Sequence, residues 1–246
     1  MLYPIEIKAN IEGGVADALA ALGDPVPSTK RLIWFAEDGD GLANGELRLL
    51  AGGVILRFRS GEGPDDSTAK LRPCLPPGWI PPWNAPFEND SLEYRIEGDW
   101  SGQRRSIAAS AVATFGQGSL AQAGGGAPLR KGTLTSQQDS LLWLCSDVWA
   151  AQRLVVLGPI ASTKWDDVPL AGMKVNAERW TVEDMDFLEL SIRVKPKDHD
   201  GQSDLETRAE KRQAELAAAI ADLGLQVATN TDNKTQRVLT ALAKKK

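Results

Sequence analysis

The chain has 246 residues, 42% apolar and 25% charged, and its 28 basic and 33 acidic side chains give a net charge of −5. That is the composition of a soluble globular protein long enough to bury a real core, and the acidic balance argues against a nucleic-acid coat. With one histidine, His199, and two cysteines, Cys74 and Cys145, the chain lacks the material for a zinc site, a disulfide framework or a His-containing triad.

In chain order, a strand is predicted over Ile5–Asn10 and a helix over residues 11–23, whose Ala/Leu-rich run Val15–Leu22 is stopped by Gly23. Period-two patterns predict strands over Arg31–Phe35, Glu46–Leu50, Val54–Arg59 and Ser67–Arg72. Six of the 14 prolines fall between Pro73 and Pro86, which marks a loop. Strands Leu92–Trp100 and Ser106–Thr114 follow, then a glycine-rich loop over 116–132. Asp139 is expected to cap a helix running through Leu142, Cys145, Trp149 and Gln152. Further strands are predicted over Leu154–Leu157, Met173–Trp180 and Phe187–Val194. A long helix follows Asp204, with Leu205, Ala209, Leu216, Ile220 and Leu223 inward and Gly224 as its stop, and a last helix covers 232–243. There is no internal repeat. The expectation is a single domain, residues 1–246, in which 204–246 form a C-terminal helical segment. Many strands with few helices between them suggest antiparallel pairing in a barrel or a folded-over sheet.

The informative feature is which residues alternate. In Leu92–Trp100 every odd position, Glu93, Arg95, Glu97 and Asp99, is charged, and strand geometry sends these side chains to one face. Glu6 and Lys8 alternate with Ile5 and Ile7, Arg57 and Arg59 flank Phe58, Lys70 and Arg72 flank Leu71, and Glu189 lies between Leu188 and Leu190. An ordinary antiparallel sheet with a solvated polar face gives the same alternation. Two details favour a functional face: it is poor in Ser, Thr and Gln, and its arginines come in same-face pairs, which repel unless anions sit among them. If the sheet closes, the charged faces line its inside. The basic residues Lys8, Arg57, Arg59, Lys70, Arg72, Arg95 and Lys164 suit a chain of phosphates. The carboxylates Glu6, Glu93, Glu97, Asp99 and Glu189 suit a hard cation, Mg²⁺ or Mn²⁺.

The order of these motifs resembles that of the CYTH superfamily, the triphosphate tunnel metalloenzymes. Pro4-Ile5-Glu6-Ile7-Lys8 is similar to the family's opening E-x-E-x-K strand, with Pro4 in place of the first Glu. Leu32-Ile33-Trp34-Phe35 resembles its aromatic strand, Leu56-Arg57-Phe58-Arg59 its R-x-R strand, and Ala69-Lys70-Leu71-Arg72 the strand bearing a substrate lysine. Ser162-Thr163-Lys164-Trp165 resembles the basic strand end before the final hairpin. Phe187-Leu188-Glu189-Leu190-Ser191 resembles the closing F-x-E-x-E strand, with Ser191 in place of the last Glu. Leu223-Gly224-Leu225 and Asn233-Lys234 resemble the C-terminal signature. The resemblance implies an α+β fold built on a closed eight-stranded antiparallel β-barrel, a tunnel with helices packed outside. It also implies a linear triphosphate as ligand and a divalent metal.

On that basis the expected chemistry is metal-assisted hydrolysis of a terminal phosphoryl group. Glu6 and Lys8 are the expected catalytic residues, and Lys8, Arg57, Arg59, Lys70, Arg72, Arg95 and Lys164 the substrate-binding ones. Glu6, Glu97, Asp99 and Glu189 are the expected ligands of Mg or Mn. The substitutions at Pro4 and Ser191 leave two alternatives open: a non-catalytic polyphosphate- or nucleotide-binding protein, and an adenylyl cyclase. The expected partner is a small-molecule triphosphate or polyphosphate, with no nucleic acid and no membrane. The oligomeric state stays open, a homodimer included. No apolar run reaches the roughly 18 residues of a membrane helix, and MLYPIEIKAN does not read as a secretory signal, so a cytoplasmic location is expected. His199 is read as an exposed turn residue, the cysteines as loop and core thiols, Trp79 and Trp83 as packing, and Gly124-Gly125-Gly126 as a connector. The proline loop and residues 116–132 are open as to order, and the proline loop as to a lid role.

Overall fold

The computed structural model describes residues 2–74, 79–122, 125–149, 153–228 and 234–244. The helix expected to reach Gln152, residues 232–233 of the last helix, Asn233 and Gly124 are sequence expectations that lie in part or wholly outside the described residues. In chain order the elements are β1 (Ile5–Glu12), α1 (Val15–Ala21), β2 (Thr29–Asp38), α2 (Gly39–Ala43), α3 (Arg48–Ala51), β3 (Val54–Gly61) and β4 (Asp65–Leu71). They continue with β5 (Phe87–Asn89), β6 (Leu92–Ser101), β7 (Arg104–Phe115), α4 (Ser136–Cys145), β8 (Leu154–Leu170), β9 (Met173–Val182) and β10 (Met185–Val194). The chain ends with α5 (Gln202–Asp222), β11 (Gln226–Val227) and α6 (Lys234–Ala243).

The hydrogen-bonded strand order is β11-β1-β10-β9-β8-β2-β3-β4-β7-β6-β5, with β1 paired again to β6. The ladder therefore closes through nine strands into a mixed β-barrel, and the expectation of eight antiparallel strands is corrected on both points. The closing pair is parallel, Ile5 opposite Gly98 and Lys8 opposite Ser101. Tight hairpins force antiparallel neighbours, whereas strands far apart in sequence, like β1 and β6, carry no such constraint.

The residues fall into two compact units. The first comprises Met1–Lys30, Glu97–Ser106 and Ser162–Lys234. In it β1 runs antiparallel to β10, Glu6 facing Arg193, Lys8 facing Ser191 and Asn10 facing Glu189. Its alternate residues Ile5, Ile7, Ala9 and Ile11 are buried in one apolar cluster with Leu188 and Leu190 of β10, Val15 and Ala18 of α1, and Leu205, Ala209, Leu216 and Ile220 of α5. Each fully buried Leu or Ile of such a cluster contributes about 1.5–3 kcal/mol. This stabilisation fixes the register: a slip of one residue would turn Glu6 and Lys8 into the apolar cluster.

The second unit comprises Arg31–Ile96, Ile107–Ala161 and Thr235–Lys246. In it β2, β3, β4 and β7 pair as consecutive antiparallel neighbours. Leu56, Phe58, Ala69, Ala109 and Ala111 form a face without solvent exposure. Helix α4 lies over it, since the buried Gln138 donates to the carbonyls of Ser67 and Ala111 and accepts from the Ser67 hydroxyl. The cap of α4 is Thr135, in a reciprocal box with Gln138, rather than the expected Asp139, which sits in the first turn.

Two further expectations change. Residues Glu46–Leu50 form no strand: Arg48–Ala51 is a turn of helix whose Leu49 and Leu50 N–H groups donate to the Glu37 carboxylate at 2.6 and 3.1 Å. Residues Ile11 and Glu12 belong to β1 and not to the first helix, because β11 pairs with them. Gly23 and Gly224, the expected helix stops, take φ of 83° and 73°, which an L side chain rarely adopts. No described helix is long and apolar enough to cross a membrane.

Candidate functional site

In the first unit, the polar face of β1 lies opposite the one packed on α1 and α5. Lys8 Nζ is 2.9 Å from Glu6 Oε2 and 3.2 Å from Asp99 Oδ1, and the Asp99 side chain is fully buried. Burial alone would lower the Lys8 pKa. The charges of Glu6, Asp99 and Glu189 and the hydrogen bond to Glu6 outweigh it, holding the pKa well above the ordinary lysine value. Lys8 is therefore a fixed cation at any physiological pH.

Next along the same face, Arg193 Nη2 is 2.7 Å from Glu97 Oε2. Glu189 of β10 stands directly opposite Glu178 of β9, and Lys234 Nζ lies 2.8 Å from Glu178 Oε2 and 3.4 Å from Glu189 Oε1. Lys234 also sits 4.1 Å above the Trp180 ring. The Ser162 hydroxyl donates to Glu178 Oε1 at 3.0 Å. Lys164 stands in a separate, half-exposed pair with Asp166 at 2.6 Å.

In the second unit, Arg57 and Arg59 share a face of β3 with Lys70, because Ile55, Arg57 and Arg59 lie opposite Lys70, Thr68 and Asp66. This is the face that α4 does not cover. Asp66 accepts from Arg59 Nε at 3.0 and 2.9 Å and from Arg31 Nη1 at 2.8 Å. Arg57 Nη2 reaches Thr68 Oγ1 at 3.4 Å. The face is not purely ionic, since Ile33 and Phe35 of β2 lie opposite Arg59 and Arg57. Arg72 follows the end of β4, its N–H bonded to the Gly53 carbonyl at 2.8 Å. Arg95 is paired with Glu93 at 3.4 Å, both half-exposed.

The structure thus gathers Glu6, Lys8 and Asp99 in one cluster, joins Glu97 and Glu189 to cations of the same unit, and places Arg57, Arg59 and Lys70 together in the other. Arg72, Arg95 and Lys164 lie at a strand end or in pairs of their own. Five charged residues of these clusters, Arg31, Asp66, Glu178, Arg193 and Lys234, were missed by sequence reasoning. Arg193 carried a signal, since it continues the alternation of Glu189 and Ser191 along β10, whereas Glu178 sits beside the charged Arg179 and on the face of the buried Trp180. Asp66 lies just outside the expected strand Ser67–Arg72. Lys234 carried none beyond its place in the C-terminal signature.

The donor set was expected to hold Mg or Mn. Among the described residues no three carboxylate, imidazole or thiol groups gather as metal ligands would. Glu6 and Asp99 lie on Lys8, Glu97 on Arg193, and Glu189 on Lys234. As placed, these carboxylates do not fit a divalent cation.

The remaining singled-out residues take structural places. His199 is exposed at φ 69°. Trp83 is buried against Phe87 and Tyr94, with centroids 5.5 and 5.1 Å away, and its carbonyl accepts from the Tyr94 hydroxyl.

No protein-family profile matches the chain, and no curated protein matches it in sequence. Solved structures do match. One is a candidate adenylyl cyclase from Hippeastrum described as having a dominant triphosphatase activity, 12% identical over 95% of each chain with a TM-score of 0.50. Another is a candidate adenylate cyclase from Bacillus halodurans, 13% identical over 96% of this chain and 98% of the other with a TM-score of 0.51. At such identities the likeness shows the fold alone. The fold is shared along nearly the whole chain.

Proposed function

We propose that the chain is a divergent CYTH-type protein that binds a linear triphosphate, inorganic or organic, and hydrolyses its terminal phosphoryl group. The observation that carries this reading is the basic face of β3 and β4. Arg57, Arg59 and Lys70 project from neighbouring registers and share it with a carboxylate held by two guanidiniums. Guanidiniums bind phosphate oxygens through two parallel donors, and a lysine adds a compact charge. In the first unit Lys8, held as a cation by Glu6 and Asp99, is proposed as a phosphate contact on the strength of the family resemblance. Arg72, Arg95 and Lys164 are proposed as accessory phosphate contacts. The ligand is a small anion in a cytoplasmic setting, and a divalent ion accompanies it as part of the substrate complex.

Binding without turnover is the second reading. It is favoured by the pairing of Glu6, Asp99, Glu97 and Glu189 with basic groups and by Pro4 and Ser191 at two carboxylate positions of the family pattern. Phosphate release from tripolyphosphate, with and without Mg²⁺ or Mn²⁺, decides between the two, with thermal stability followed in parallel. Release that is lost in Arg57→Ala supports hydrolysis. A large thermal shift with no release supports binding alone. Neither effect at millimolar triphosphate overturns both. Cyclic AMP formed from ATP would instead assign the cyclase activity of the alternative reading.

A further inference from the structure

Glu178 and Glu189 occupy directly opposed positions across the β9–β10 ladder. Like charges placed so repel and destabilise the strand pair, and a cation between them relieves the repulsion. In this chain the cation is covalent. Lys234, the first residue of α6, is 4% exposed and reaches Glu178 at 2.8 Å and Glu189 at 3.4 Å. Its ammonium also lies 4.1 Å from the Trp180 ring, on whose face a cation is attracted. Ser162 donates to the other oxygen of Glu178. The three groups around the ammonium, two carboxylates and an indole face, come from β9 and β10.

We infer that Lys234 is a resident cation that fills the place a divalent ion would take between Glu178 and Glu189, so that this carboxylate pair works without metal. A divalent ion binds such a pair only after displacing the ammonium, and the ammonium is tethered to α6 and desolvated. Being part of the chain, it needs no free ion to be recruited. The inference deepens the proposed function, since it assigns the charge balance beside Lys8 to a side chain and not to a bound metal. Glu189 connects the two, because its charge is one of those that raise the Lys8 pKa.

The test uses Mn²⁺ alone, without triphosphate, so that its failure is separable from failure of the triphosphate reading. Mn²⁺ binding is measured by electron paramagnetic resonance on the wild-type chain, Lys234→Met, Glu178→Gln and Glu189→Gln. Methionine keeps a flexible stem over Trp180 and removes the charge. The wild type is expected to show no Mn²⁺ binding that depends on Glu178 or Glu189. Lys234→Met is expected to bind at least tenfold more tightly than the wild type and to gain thermal stability with Mn²⁺. Wild-type binding that falls tenfold or more in Glu178→Gln or Glu189→Gln would overturn the inference, and that comparison stands even if Lys234→Met fails to fold. A folded Lys234→Met that gains no Mn²⁺ affinity would overturn it as well. Loss of triphosphate binding with the Mn²⁺ pattern intact would sink only the functional reading.

Discussion

Arg59 and Asp66 face each other across the β3–β4 ladder, with Arg59 Nε 3.0 and 2.9 Å from the two carboxylate oxygens. Arg31 reaches the same carboxylate at 2.8 Å. Asp66 is thus the internal anion of a basic cluster, and its negative charge stands where a phosphate oxygen would be equally welcome.

Replacing it should therefore destabilise the free protein and sharpen its response to phosphate. Asp66→Ala is expected to cost about 1–3 kcal/mol, the usual result of leaving charged hydrogen-bond partners unmatched. At about 2–4 °C per kcal/mol for a chain of this size, Tm should fall by several degrees. Added tripolyphosphate should recover more of that Tm than it adds to the wild type. Equal shifts in the two proteins would show that the anion binds elsewhere.

A second prediction concerns the short helix α3. The buried Glu37 carboxylate accepts from Asp38 N, Leu49 N and Leu50 N. Burial pushes its pKa up, against the lowering effect of these donors. Glu37→Ala should cost about 1–3 kcal/mol through the unsatisfied N–H groups. Glu37→Gln keeps a carbonyl acceptor and should cost less. Urea unfolding of both variants checks the order.

This same contact shows why part of the fold was hidden in the sequence. Gly23 and Gly224 end α1 and α5 for a reason local to the chain, a positive φ that glycine tolerates, and so the helix stops were legible. The alternation of Glu6 and Lys8 with buried isoleucines was legible for the same reason. Residues 46–50 look extended, but a carboxylate twelve residues upstream caps a helical turn there, and local pattern carries no trace of it. Lys234 is the same case at longer range. Its partners lie on a hairpin whose register sets Glu178 against Glu189, and only the folded hairpin creates the need for a cation. Arg193 was readable, since it shares the alternation of Glu189 and Ser191. The parallel β1–β6 pairing was not, because no turn links the two strands.

The thiols give a pH prediction. Burial pushes Cys74 up to about 12 and Cys145 up to about 11, from an ordinary 9.0. A raised thiol pKa means that the folded state holds the proton more tightly than the unfolded one. The stability this contributes is complete below pH 9 and is lost as pH climbs toward 11 and 12, so Tm should fall across that window. Burial keeps the Cys74 thiol protonated at pH 8, and iodoacetamide should leave it unmodified in the native protein while labelling it in urea. Rapid native labelling of Cys74, read by mass spectrometry, would contradict its burial.

The central claim is that the basic face of β3 and β4 holds a triphosphate. Isothermal titration of tripolyphosphate into the wild type, Arg57→Ala and Lys70→Ala tests it most directly. Each lost charge-assisted contact is expected to cost about 1.5–3 kcal/mol, so saturable binding to the wild type should weaken roughly tenfold to a hundredfold in each variant. Wild-type binding that is absent, or that survives both substitutions unchanged, would contradict the account.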